Sequence, residues 1–149
     1  MDYVKYLREY LGTRAINLTG VCVIIVNENN QILLQKRGTY PYKWGLVGGI
    51  TELGESLEET AIRETYEETG LILNELSLFK TVSGAHCLVN YPNGDKVYYI
   101  TVCYTSKSYS GNLICDNKES LELKYFGKNN LPDNIPKTHL DLINSYYSC

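Results

Sequence analysis

"GGITELGESLEETAIRETYEETGL" runs from Gly48 to Leu71. Ser56 with Glu59 three residues on forms a capping box, and Gly70 stands where a helix stops at its C′ position. The spacing therefore predicts a helix over 56–69. It is entered from "LVGGI" (46–50), a short strand whose glycines suit a bend or a close backbone approach. Seven of the chain's 17 acidic residues lie between Glu52 and Glu68, with Arg63 the one cation among them. On a helix, Glu64, Glu67 and Glu68 share an arc of about 100°. Leu57, Ala61 and Thr65 form an i, i+4, i+8 stripe beside that arc, suited to packing on a sheet. Like charges at i, i+4 destabilise a helix by roughly a few tenths of a kcal/mol each. Glu-rich surface helices are common, because Glu is a good helix former. Here the helix has no lysine to offset the charge, and a glycine pair and a Trp-bearing loop lead straight into it. Both features point to a built site.

Outward from this stretch the chain alternates strands and helices. "VCVIIV" (21–26) is β-branched and continuously apolar, which predicts a buried strand. "NENN" turns the chain and "QILLQKR" (31–37) returns as a strand. "GTYPYKWG" (38–45) reads as loop. Beyond the acidic helix, "LILNELSLFKTVSG" and "KVYYITVCYTSKSY" are strand-like, joined through an Asn-Gly-Asp turn at 93–95. "LELKYF" (121–126) alternates as a strand, and 137–147 closes as a helix. At the other end, Tyr3, Tyr6, Leu7, Tyr10 and Leu11 recur at helical spacing over 2–11, with Asp2 as N-cap. That helix is a candidate to cover either its own domain or a second copy in a homodimer. The expected architecture is α/β, one domain over 1–149 with a mixed sheet.

The bulk numbers exclude several classes. With 149 residues, 44% hydrophobic and 21% charged, the chain can build a sizeable core. A formal net charge of -3 with no basic face gives no reason to expect duplex nucleic acid. No run of 18 apolar residues exists, so no membrane span is expected. The N-terminus lacks an apolar signal core, so a cytoplasmic setting is expected, and the Asn17-Leu18-Thr19 glycosylation acceptor is idle there. Five cysteines show no C-x-x-C pairing, and His86 and His139 complete no zinc spacing.

Hard divalent cations answer the carboxylate repulsion. Mg²⁺ (or Mn²⁺) prefers carboxylate oxygens and binds where substrate phosphates complete its shell. The backbone carbonyl of Gly49, or Gly48, would add a further oxygen. Such ions neutralise a phosphate chain and generate hydroxide from water.

Gly49, Glu55, Arg63-Glu64, Glu67-Glu68 and Gly70-Leu71 fall in a pattern that closely resembles the Nudix box, G-x5-E-x7-R-E-U-x-E-E-x-G-U, where U is bulky and aliphatic. Thr65 departs from the pattern at one U position. Val47 stands where many members have a proline. "VCVIIVNENNQILLQKR" with "WGLVGG" resembles the family's approach to the box, and "KESLELKYF" the stretch beyond it, so the likeness spans most of 20–130. It implies a Nudix-type α/β/α sandwich and metal-dependent hydrolysis of a nucleoside diphosphate linked to another moiety, of (d)NTP or nucleotide-sugar type. By position it implies Glu64 and Glu68 as principal metal ligands, with Glu67 binding or water-bridging a further ion. Glu55 would sit at the helix entrance and Arg63 would clamp the glutamates. The general base would be a box glutamate or an acid on a mobile loop, with Glu119 and Glu122 as candidates.

The substrate's other half must be held outside the box. Tyr40, Tyr42 and Trp44 precede it, while His86, Tyr91 and Tyr98 lie in or beside the later loop. Any of them could stack on a base, and Arg37 and Lys36 could meet phosphates. Family members acting on ADP-ribose often carry a proline about fifteen residues past the box; here that region is "AHC" (85–87). Two other readings stay open. One is a nucleotide- or metal-binding module without catalysis; the other is an acidic helix that docks a basic partner.

Overall fold

β1 (Ile16–Ile25) is continuously apolar from Val21 on because both faces of that half are covered. The computed structural model describes residues 2–149. In it, Val21, Val23 and Ile25 join one core with Leu33, Val47, Ala61, Leu71, Val102 and Tyr104. Cys22 and Ile24 join the other, with Ile32, Leu34, Leu46, Cys103, Phe126, Leu142 and Ile143. The period of two along the strand sorts alternate residues into the two cores. α2 (Leu57–Thr69) closes the first core through Ala61, and α3 (Lys137–Tyr147) closes the second through Leu142 and Ile143. The result is an α/β/α sandwich.

The sheet has seven strands. β2 is Ile32–Arg37, β3 Trp44–Ile50, β5 Ser77–Val82, β6 Leu88–Asn90, β7 Lys96–Ser106 and β9 Ser120–Phe126. The order is β5-β7-β1-β3-β2-β9, with β6 also paired to β7. β1 runs parallel to β7 and antiparallel to β3, so the sheet is mixed. β4 (Ile72–Leu73) and β8 (Tyr109–Ser110) form a separate two-stranded piece.

Several boundaries differ from the sequence reading. β1 begins at Ile16, five residues early, because its first half pairs with Val97–Ile100 of β7. Trp44 and Gly45, expected in a loop, open β3 by pairing with Lys36 and Gln35. The segment after α2 splits into β4 and β5, and the one after residue 96 into β7 and β8. α1 (Tyr3–Leu11) forms with the Asp2 side chain accepting from Lys5 N, as its pattern predicts. It is tied down by Arg8, which donates to Lys96 O at 3.0 Å and lies 3.5 Å from Asp95.

Candidate active site

The acidic helix starts on a complete capping box. Ser56 Oγ accepts from Glu59 N at 3.0 Å, and Glu59 Oε2 accepts from Ser56 N at 3.1 Å. Gly70 ends the helix with φ +78°, a left-handed position that other residues adopt only at a cost. A Leu57–Ala61–Thr65 stripe meets the sheet, as its spacing predicts, and Ala61 and Thr65 are wholly buried.

Two glycines let the helix come close. A side-chain carbon on Gly48 would lie 2.0 Å from Val21 O, so β1 leaves room only for hydrogen. One on Gly49 would lie 2.3 Å from the Glu64 carboxyl carbon. The Glu64 carboxylate therefore rests against the bare backbone of Gly49. Glu68 is deeper still, 4% exposed, and its Oε1 accepts from Gly48 N at 2.9 Å. Burial pushes its pKa up to about 7, against the nearby Gln35 amide, the Arg37 charge and the Gly48 N–H, which favour the anion. Burial raises Glu64 too, with Arg63 opposing.

Arg63 organises the opposite end. Its Nε donates to Glu55 Oε2 at 2.7 Å and its Nη2 to Glu55 Oε1 at 2.9 Å, a bidentate pair. Nη1 reaches Glu64 Oε1 at 2.9 Å and Glu67 Oε2 at 3.2 Å. Nη2 also donates to Ile50 O at 3.2 Å. Thr60 Oγ1 adds a third donor to Glu55 at 2.6 Å. The Arg63 hydrogen bonds hold Glu55 down to about 2. Glu55 is thus saturated by protein donors, and its part is to fix Arg63.

The expected carboxylate face exists, but not as one convergent cage. Among the described residues, no three His, Cys, Asp or Glu side chains stand around a common point. Glu64 and Glu67 are drawn onto Arg63, the one cation on the face, and Glu68 onto Gly48 N. Glu67 keeps 53% of its side chain in solvent.

Beside the carboxylates, a cleft of about 390 Å³ opens between β1, β3, β7 and the start of α3. Gly48 and Gly49 form part of its wall. Arg37, Tyr40, His86 and Tyr91, all anticipated from sequence, line it. Among the described residues the Arg37 side chain makes no ion pair, although its charge acts on Glu68, Tyr99 and His139. Tyr91 and Tyr99 share a short hydroxyl–hydroxyl hydrogen bond. A second hollow of about 420 Å³, between residues 26–29 and 107–109, holds none of the box residues. No box carboxylate lines the β1–β3 cleft either, but its wall includes Gly48 and Gly49, which Glu68 and Glu64 lie against.

Other anticipated residues lie elsewhere. Trp44 is outside the cleft, its ring centroid 5.0 Å from that of Phe126 in the α3-side core. Tyr42 is 61% exposed and touches the cleft only through Tyr40, 6.4 Å between centroids. Tyr98 pairs with Leu88 and is absent from the lining. Lys36 and Glu122 face each other across the β2–β9 register as exposed strand charges. Glu119 is exposed, but its charge reaches Glu64, and its backbone oxygen is pinned by Gly38 N at 3.0 Å.

Three site residues escaped the sequence reading. Tyr99 and His139 line the cleft, brought there by β7 and α3. His139 Nδ1 accepts from Leu46 N at 3.0 Å, and burial, then Arg37, hold its pKa down to about 4. The third is Gln35, wholly buried beside Glu68. No local signal marked it, because Gln35 stands where the apolar run gives way to Lys36 and Arg37.

The site thus pairs an arginine-clamped carboxylate helix with a neighbouring cleft lined by Arg37 and tyrosines, on an α/β/α domain. The NUDIX domain model matches residues 17–146, and the chain belongs to the Nudix family. It is 34% identical over 125 residues to the ADP-ribose pyrophosphatase of Methanocaldococcus jannaschii, covering 82% of this chain and 69% of that protein. It is 33% identical over 108 residues to the nucleoside triphosphatase NudI of Salmonella agona, covering 68% and 75%. Several other curated relatives are matched over less than half of their own length. The MutT NUDIX hydrolase of Burkholderia pseudomallei superposes with TM-score 0.75 at 25% identity, covering 87% of this chain and 97% of that one. The chain is accordingly a Nudix hydrolase, an enzyme of a family acting on nucleoside diphosphate derivatives.

Proposed function

We propose that the chain, acting as one Nudix domain, is a Mg²⁺- or Mn²⁺-dependent pyrophosphohydrolase. Its substrate would be a nucleoside diphosphate carrying a further group, either a sugar or a phosphate. The carrying observation is Glu68: a buried carboxylate with one N–H donor, set against a cleft that holds an unpaired arginine. Such a carboxylate is costly without a counter-charge. The donors fit a hard cation, because all are oxygens and the Gly49 backbone lies open against Glu64. Glu64 and Glu68 would hold it, with Glu67 and the Gly49 carbonyl at its outer side. When bound, such an ion supplies charge neutralisation and a more acidic water. Arg63 keeps the glutamates aimed, Arg37 binds the diphosphate oxygens, and Glu119 is the candidate to take the water's proton. Tyr40 and Tyr91, their centroids 5.5 Å apart, offer apolar faces to the nucleoside.

The two relatives reported above are named for a nucleotide sugar and for nucleoside triphosphates, the same two alternatives that the box implies. The test is a panel of (d)NTPs and nucleoside-diphosphate sugars, ADP-ribose included, with Mg²⁺ or Mn²⁺, reading released phosphate, pyrophosphate and nucleotide. Metal-dependent cleavage lost in Glu68→Gln supports the reading. Tight nucleotide binding without product under either metal would replace it with a binding module.

A further inference from the structure

Gln35 is out of place by its chemistry. It sits on β2 with no exposed surface, between the buried Leu34 and the exposed Lys36. Its Oε1 accepts from Ser120 Oγ at 2.5 Å, across the β2–β9 boundary. Its Nε2 makes no hydrogen bond to any described residue. An unpartnered buried amide N–H is expensive, about 1–3 kcal/mol, so its retention calls for a use.

Its position supplies one. Gln35 follows Leu33 by two residues and so projects from the same sheet face, the face that α2 covers. Glu68 is the α2 carboxylate beside it. Ser120 cannot by itself decide which way round the amide lies, because a hydroxyl both donates and accepts. A carboxylate accepts only. With Glu68 alongside, the amide is expected to give its Oε1 to Ser120, as observed, which leaves its N–H₂ as the group without a partner. Ser120 is itself fixed: its N donates to Asp116 Oδ1 at 3.1 Å, and Glu119 next to it is held through its carbonyl by Gly38 N.

Resting on the reading of Glu68 as a metal ligand, we propose that Gln35 is a positioning residue for it. Through the chain Asp116–Ser120–Gln35 the free N–H₂ would steady the Glu68 carboxylate from behind while Gly48 N holds its Oε1, so that the carboxylate presents a fixed edge to a divalent cation. The same chain ties that edge to the loop that carries Glu119.

The test is calorimetric titration of the full-length protein with Mn²⁺ alone, for wild type, Gln35→Met, Ser120→Ala and Glu68→Gln. Met fills nearly the same volume without an amide. Affinity and stoichiometry separate the two roles: a merely structural defect lowers the fraction of competent protein, not the affinity of what remains. The expected result is a Kd raised about 10–100-fold in Gln35→Met, the range for outer-shell partners of metal ligands. Ser120→Ala, which keeps the amide but frees its anchor, should show a smaller rise, of about threefold or more. If wild type and Glu68→Gln bind Mn²⁺ alike, the metal reading of Glu68 fails. If Glu68→Gln loses binding while Gln35→Met and Ser120→Ala stay within about twofold of wild type, only the present proposal is overturned. Should Gln35→Met fail to fold, Ser120→Ala decides by the same criterion.

Discussion

Glu55 and Glu68 stand at the two ends of one acidic segment and are the same residue in opposite surroundings. Glu55 takes two Arg63 N–H groups and a Thr60 hydroxyl, and titrates near pH 2. Glu68 takes one backbone N–H in a site closed to water, and titrates near pH 7. The first carboxylate is spent on holding an arginine; the second keeps acceptor capacity and lacks a counter-charge. A structural acid and a ligand acid are therefore distinguished by how fully the protein itself satisfies them, not by residue type.

The comparison breaks most easily at Glu68. If Glu68 holds the ion as proposed, Glu68→Gln should lower turnover at least about 100-fold, because a buried ligand charge is lost. Its metal-free melting temperature should stay level or rise, since Gln can still accept from Gly48 N while shedding the buried charge. Product assays and thermal melts in chelator measure both, and a variant that melts well below wild type contradicts this account of Glu68.

The pH dependence sharpens the contrast. Glu68 has a folded pKa of about 7, above its ordinary 4.5. Its contribution to stability is intact below pH 4.5 and is lost as pH rises through 7. In chelator, wild type should lose up to about 3 kcal/mol relative to Glu68→Gln between pH 4.5 and 8, read by urea denaturation. Next in size is the clamp. Arg63→Ala should cost about 1–3 kcal/mol, less than a fully buried pair because the guanidinium keeps 29% exposure. Arg63→Lys should recover little of that, since an ammonium cannot bridge both Glu55 oxygens. The smallest effect is at Glu55, whose pKa of about 2 lies below 4.5. The advantage of wild type over Glu55→Gln should be present above pH 4.5 and fade as pH falls toward 2, a slope opposite in sign to that of Glu68.

The acidic helix was legible because its signals are local. A capping box, a stop glycine and a carboxylate arc are all set by residues within about four positions of one another. The α/β/α layering was legible in "VCVIIV", because only a strand covered on both faces is apolar at every position. The cleft was legible only in part. Tyr99 and His139 reach it through β7 pairing and α3 packing, contacts that span most of the chain and leave no local trace. Trp44 shows the opposite failure: an aromatic in a glycine-rich loop looks free to stack on a base, yet the pairing of β2 with β3 turns it into the core against Phe126. Gln35 was equally hidden, since it opens the polar end of β2 before Lys36 and Arg37 and its burial is set only by the packing around β2 and β9.

The central position of β1 carries a further cost for the molecule. Cys22 is matched to Gly48 on one side and to Cys103 on the other. One inserted residue there would exchange Val21, Val23 and Ile25 with Cys22 and Ile24, turning both cores inside out. It would also shift the glycines away from the helix and the tyrosines away from the cleft in the same stroke. An inserted residue is expected to be borne more easily in the turns at 91–95 and 111–119, which lie outside the β1 pairings.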